Sequence, residues 1–90
     1  MKSFKLIVST PNGNAYEGNV NEISIYGSEG SLAIRAGHVP FITATKAGAF
    51  KIYDANDDES NYEVSEGLLT VAKDKTTLLC GYMKKINEEN

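Results

Sequence analysis

Few side chains in this 90-residue chain could break bonds or hold a metal, and they are scattered. The single histidine is His38, the single arginine Arg35 and the single cysteine Cys80. Nucleophilic catalysis would need Cys80 beside His38. Cys80, however, sits in an apolar run between Leu79 and Gly81, where a free cysteine acts as a small hydrophobe. A zinc site needs several nitrogen and sulfur ligands, which one histidine and one cysteine do not supply. Asp57, Asp58 and Glu59 do not follow the spacing of a calcium loop and read as a solvated hairpin tip. Glu17, Glu22 and Glu29 could form an acid pair only if something desolvated two of them together, and no pattern does so. No catalytic set and no metal set emerges, and no cofactor is expected.

The densest stretch is GSEGSLAIRAGHVPF, residues 27–41, with Gly27, Gly30, Gly37, Arg35, His38 and Pro40. Phosphate cradles place their glycines where a strand opens into a helix. Here Gly27 and Gly30 lie between two strand-like runs, so they are turn glycines.

The runs around them have a period of two. Phe4, Leu6 and Val8 alternate, as do Ile23 and Ile25, Leu32 and Ile34, Phe50 and Ile52, and Tyr62 and Val64. Val20 is out of phase with Ile23, which predicts a bulge near Asn21 or Glu22. Thr10-Pro11-Asn12-Gly13-Asn14, Asp54 to Asn61 and Ala72 to Lys75 read as turns. No stretch reads as an amphipathic helix. Short strands at this spacing predict an all-β fold, a small two-sheet, mostly antiparallel β-sandwich. Leu6, Val8, Ile23, Ile25, Leu32, Ile34, Val64, Leu69, Val71 and Leu79 are expected to face inward. Residues 1–82 are assigned to the sandwich and 83–90 to a polar, frayed C-terminal tail.

Ninety residues suit one domain, and 41% hydrophobic with 23% charged residues suits a soluble one. A formal net charge of −3, with basic residues spread along the chain, argues against nucleic-acid binding. One cysteine excludes an internal disulfide framework. The only apolar run near the N-terminus, Leu6-Ile7-Val8, is far shorter than the ~7–15 residues of a signal peptide core. No run approaches the ~18 apolar residues of a membrane span, so no direct membrane insertion is expected.

Gly27, Ser28, Glu29, Gly30, Leu32, Ile34, Gly37, His38 and Pro40 together resemble the hallmark loop of the epsilon subunits of F-type ATP synthases, called delta in mitochondria. The opening FKLIVSTPNGNAYEG and the segment YEVSEGLLTVAKDKTTLL are similar to flanking parts of the same family, so the resemblance runs from about residue 4 to 80. Ala33 and Ala36 stand where the family usually has glycine and proline. Ser31 replaces a frequent acidic residue, and Glu66 replaces the first of two glycines. Longer members continue into a C-terminal helical hairpin, which in some bacteria binds ATP or blocks rotation. This chain stops at Asn90 and resembles the short form, so no nucleotide is expected.

The resemblance implies a non-catalytic rotor subunit of the central stalk. It would dock on the gamma subunit and the c-ring, at the cytoplasmic side of a bacterial cell membrane, and help couple ion-driven rotation to ATP synthesis. It implies gamma contacts at Thr10, His38, Val39, Pro40, Phe41 and Thr43. It implies c-ring contacts at Ser28, Glu29, Gly30 and Ser31. The competing reading is a stand-alone ligand-binding or enzymatic β-sandwich of jelly-roll type, which the lone histidine disfavours.

Overall fold

The computed structural model describes residues 2–86. Among them there are nine strands and no helix: β1 (Phe4–Thr10), β2 (Gly13–Gly27), β3 (Gly30–Arg35), β4 (Phe41–Thr45), β5 (Gly48–Asp54), β6 (Glu59–Val64), β7 (Gly67–Val71), β8 (Lys75–Cys80) and β9 (Met83–Lys85). Pairing is antiparallel except between β1 and β8, which run parallel.

The long strand β2 organises the fold. Val20 lies opposite both Phe4 of β1 and Asp54 of β5, and Ile23 lies opposite both Ile34 of β3 and Ile52 of β5. Strands β1 and β3 therefore follow one another along one edge of β2, with β5 on the other edge. The β2–β5 register slips between Val20 and Glu22, which is the expected bulge. A bulge bends a strand and sharpens its twist. The bend lets β2 serve two layers, one running from its first half through β1, β8, β7 and β4, the other from its second half with β3 and through β5, β6 and β9.

The core lies between these layers. Leu6, Val8, Val20, Ile23, Ile25, Ile34, Phe50, Ile52, Val64, Leu69 and Leu78 are buried, as the alternation in β1, β2, β3 and β5 requires. Tyr16 from β2 meets Tyr62 from β6 edge-on, with ring centroids 6.4 Å apart, and Tyr62 in turn meets Phe50 at 6.3 Å. The first pair joins the two layers, since Tyr16 lies on the part of β2 paired with β1 and Tyr62 on β6.

Three expectations change. Leu79 is 49% exposed, and its neighbour Leu78 is fully buried instead. In β8 the inward set is Thr76, Leu78 and Cys80, a parity that a Leu-Leu doublet does not reveal. Leu32 is half-buried rather than inside, because among the described residues β3 is bonded to β2 alone. The tail expected from residue 83 begins with β9, which pairs Met83, Lys84 and Lys85 with Val64, Glu63 and Tyr62. Ser65 explains this docking. Its Oγ accepts the backbone N–H of Gly81 at 2.6 Å and of Tyr82 at 3.2 Å, turning the chain from β8 onto β6. Residues 87–90 of the expected tail lie outside the described residues.

Candidate docking face

His38 occupies the loop between β3 and β4. The loop turns at Gly37, whose φ of 85° lies where a Cβ would be strained. The His38 N–H donates to the Arg35 carbonyl at 3.2 Å and closes the turn. The His38 ring lies 5.2 Å from the Phe41 ring, and its Nδ1 is 3.0 Å from the Val39 carbonyl. His38, Val39 and Pro40 are all exposed, Val39 to 73%. No group of three or more potential metal ligands occurs among the described residues.

Ser28 and Glu29 form the tight turn between β2 and β3, with Gly30 at φ 123°. Gly27 beside them is buried, and a Cβ there would come 2.9 Å from the Leu32 side chain. From this turn β3 leads away to the His38 loop, and β4 returns until Thr45 lies opposite Gly27. The Ser28–Ser31 turn and the His38–Pro40 loop are thus at opposite ends of the sandwich. Thr10 is at the Ser28 end, next to the row Ser9, Leu79, Leu68 and Ala44. Its hydroxyl holds the following turn, donating to the Gly13 carbonyl at 2.9 Å and accepting from Asn12 N–H at 3.2 Å.

Phe41 and Thr43 lie opposite Val71 and Leu69, which are buried, so both share the inward parity of β4 and are half-buried. The residue between them, Ile42, faces out and is 65% exposed. Cross-strand register builds a face around it. One row is Ile42, Thr70, Thr77 and Ile7; the next is Ala44, Leu68, Leu79 and Ser9. None of these eight residues is charged. The outer face of the other layer differs: it carries Glu22, Arg35, Lys51 and Glu63, with Arg35 Nε on Glu22 at 2.9 Å and Lys51 on Glu59 at 3.6 Å.

The uncharged patch made by these two rows spans β4, β7, β8 and β1, with Thr10 at one end; toward the His38 loop the same face continues into the row of Lys5 and Lys75, and beyond Ile7 it meets Glu17 of β2. Ile42, Leu68 and Leu79 are its large exposed apolar members, and sequence reasoning did not select them. The signal was present in the doublets Leu68-Leu69 and Leu78-Leu79, since consecutive strand residues point to opposite faces. An apolar doublet in a strand therefore leaves one member outside.

A polar groove of about 630 Å³ opens on the other layer, lined by Asn21, Glu22, Arg35, Tyr53 and Asp57. Four of its lining residues pair with each other: Arg35 bonds Glu22, and the Asn21 amide donates to Asp57 at 3.0 Å. Burial pushes the Cys80 thiol up in pKa, and its S–H donates to the Tyr82 carbonyl at 3.3 Å, so it is not a poised nucleophile.

Comparison with known proteins agrees with this architecture. The model of the ATP synthase delta/epsilon chain, beta-sandwich domain, matches residues 3–85. The ATP synthase epsilon chain of Anoxybacillus flavithermus is 35% identical over 79 residues, covering 88% of this chain and 58% of the relative. That of Priestia megaterium is 37% identical over 79 residues, with the same two shares. That of Bacillus thuringiensis is 32% identical over 88 residues, covering 97% of this chain and 65% of the relative. The chain thus spans about three fifths of the length of these relatives. Among solved structures, a chain of the Euglena gracilis mitochondrial ATP synthase superposes with a TM-score of 0.89 at 17% identity, covering 98% of this chain and 56% of that one. A chain of the Tetrahymena thermophila mitochondrial ATP synthase central stalk and c-ring gives 0.73 at 16% identity, covering 91% and 66%. At those identities the structural matches speak to the fold, and the family model and the bacterial relatives establish that the chain belongs to the ATP synthase delta/epsilon family as its beta-sandwich domain.

Proposed function

We propose that this chain is a non-catalytic rotor component of a bacterial F-type ATP synthase, that it docks on the gamma subunit, and that it stands on the c-ring at the cytoplasmic side of the membrane. Its work is mechanical: it transmits rotation driven by an ion gradient to ATP synthesis on other subunits. The observation that carries this reading is the uncharged patch on the outer face of β4, β7, β8 and β1, with Ile42, Leu68 and Leu79 exposed in it and Lys5, Lys75 and Glu17 at its border. An apolar patch ringed by polar residues marks an interaction site. Thr10 and the His38 to Pro40 loop flank that face, so a partner covering it would meet both, with Phe41 and Thr43 beneath.

The c-ring footing is assigned to Ser28, Glu29, Gly30 and Ser31. Glu29 is the one charge in that turn. A single exposed ion pair contributes only ~0–1 kcal/mol and is screened by salt. Most of the binding free energy therefore comes from gamma. Nucleotide plays no part in this chain's contacts.

Capture by purified gamma tests the reading. The wild type is retained, Ile42→Asp is lost, and Lys51→Glu on the opposite face binds like the wild type. Equal retention of Ile42→Asp and wild type would remove gamma from this face. In the assembled complex, with Cys80 replaced by serine, a cysteine at position 38 should cross-link to gamma and one at position 31 to the ring. A position-31 cysteine that reaches only gamma would overturn the orientation.

A further inference from the structure

Among the described residues, strand β3 has β2 as its single strand neighbour, which leaves the edge of Gly30–Arg35 open. Exposed edges are normally blunted by charge, proline, a bulge or shortness. The edge strand β9 follows this rule, being three residues long and carrying Lys84 and Lys85. Strand β3 does not: it has six residues, GSLAIR, and its only charge is Arg35 at the end.

The backbone groups on the open edge can be assigned. Gly27 and Gly30 flank a two-residue turn, so they form the hydrogen-bonded pair that closes the hairpin. Alternation then turns the N–H and C=O of Ile25 and Leu32 toward each other, and those of Tyr26 and Ser31 away from each other. Two bonds agree with this. The Tyr26 carbonyl accepts Lys46 N–H at 2.9 Å on the far side of β2, and the Arg35 carbonyl accepts His38 N–H off the β2 side. The N–H and C=O groups of Ser31 and Ala33 therefore point out along the open edge.

We infer that this edge pairs antiparallel with β3 of a second copy of the chain, about a two-fold axis through Leu32. In this register Ser31 of each copy lies opposite Ala33 of the other, and their outward groups exchange four backbone hydrogen bonds. Leu32 meets Leu32 of the second copy on the core side, covering a side chain that is only partly buried in the single chain. Glu29, in the turn just before β3, lies at the end of the pairing where Arg35 of the other copy sits. Glu29 has no ion-pair partner among the described residues, and Arg35 engages only its Nε while its side chain remains 74% exposed. Two-residue shifts place Arg35 opposite Ser31 or Gly27 and lose both charge pairs. The spacing of Glu29, Leu32 and Arg35 thus selects one register from within the sequence itself. The pairing occupies Glu29 and Ser31, so a dimer holds its Ser28–Ser31 turn away from other partners. It does not depend on the gamma assignment.

The test uses the 90-residue chain at micromolar to millimolar concentration, with mass read by sedimentation equilibrium. A concentration-dependent dimer is expected. Ala33→Pro removes an N–H that β2 does not use and should raise the dissociation constant at least ~tenfold, two of the four hydrogen bonds being lost. Glu29→Arg, which sets like charges opposite each other and leaves every β2 contact in place, should weaken the dimer in the same direction. In a Cys80→Ser background, Leu32→Cys should oxidise to a linked dimer, since cross-strand neighbours lie ~4.5–5.5 Å apart, within disulfide range. Ala33→Cys should link far less. A chain that stays monomeric at millimolar concentration would overturn the proposal. So would a dimer indifferent to both Ala33→Pro and Glu29→Arg, or one linked equally by cysteines at 32 and 33.

Discussion

Leu78 and Leu79 are adjacent and chemically identical, yet the structure gives them different tasks. Leu78 is fully buried in the core, while Leu79 is 49% exposed on the uncharged face. Replacing a buried leucine by alanine costs ~2–5 kcal/mol, from lost transfer free energy and the cavity left behind. At ~0.1 kcal/mol per residue, a chain of 90 residues has a stability of about 9 kcal/mol. Leu78→Ala should therefore remove a quarter to a half of it and lower the melting temperature by at least ~8 °C, at ~4–8 °C per kcal/mol. Leu79 already leaves about half its surface in water. Its alanine variant forfeits about half the ~1.5–3 kcal/mol of a fully buried leucine, on the order of 1 kcal/mol. Urea and thermal unfolding of the two variants give the comparison directly. Binding should reverse the order: Leu79→Ala should weaken gamma capture roughly fivefold, because the remaining half of that surface is covered only there. If the two substitutions destabilise the free chain equally, β8 does not have this register and the docking face does not exist as described.

Gly67 lies opposite Cys80, and a Cβ at 67 would collide with the Leu79 backbone carbonyl; Gly67→Ala should cost at least ~1–3 kcal/mol in urea unfolding, and a neutral result would contradict the close approach of β7 and β8. Ser65→Ala removes the acceptor shared by the Gly81 and Tyr82 N–H groups; it should cost ~1–2 kcal/mol and speed amide exchange in Met83–Lys85 more than in β5, and unchanged exchange there would free β9 from Ser65. The Cys80 thiol has a folded pKa raised by burial, so its contribution to stability is complete below the ordinary thiol range and is lost as pH rises through the folded value. Native Cys80 should alkylate slowly near neutral pH and quickly in urea, and the fall in stability at alkaline pH should flatten in Cys80→Ser; rapid native alkylation at neutral pH would refute the burial.

Alternation in the second half of β2 and in β5 was legible without coordinates, because Ser24 between Ile23 and Ile25, and Lys51 between Phe50 and Ile52, leave no choice of face; in β1 and β3 it was legible from Lys5 and Arg35, which tie the opposite parity to solvent. The bulge at Asn21 and Glu22 was legible for the same reason, as a break in phase. The loop glycines, His38 and the turn at Ser28 and Glu29 stood out through residue types whose backbone preferences are local. The uncharged face was not legible. Ile42 sits between Phe41 and Thr43, and Leu68 and Leu79 each stand beside another leucine, so local pattern fits either face equally well. Only the cross-strand register of β4, β7, β8 and β1 decides which member of each pair enters the core, and register is set by packing between distant segments. The same holds for β9. Its Lys84 and Lys85 look like a solvated tail, and it is a strand because Ser65, fifteen or more residues earlier, turns the chain back onto β6. The open edge of β3 combines the two kinds of information. The Glu29, Leu32 and Arg35 spacing is written in the sequence, but which backbone groups face outward depends on β2 lying on one side and, among the described residues, no strand on the other.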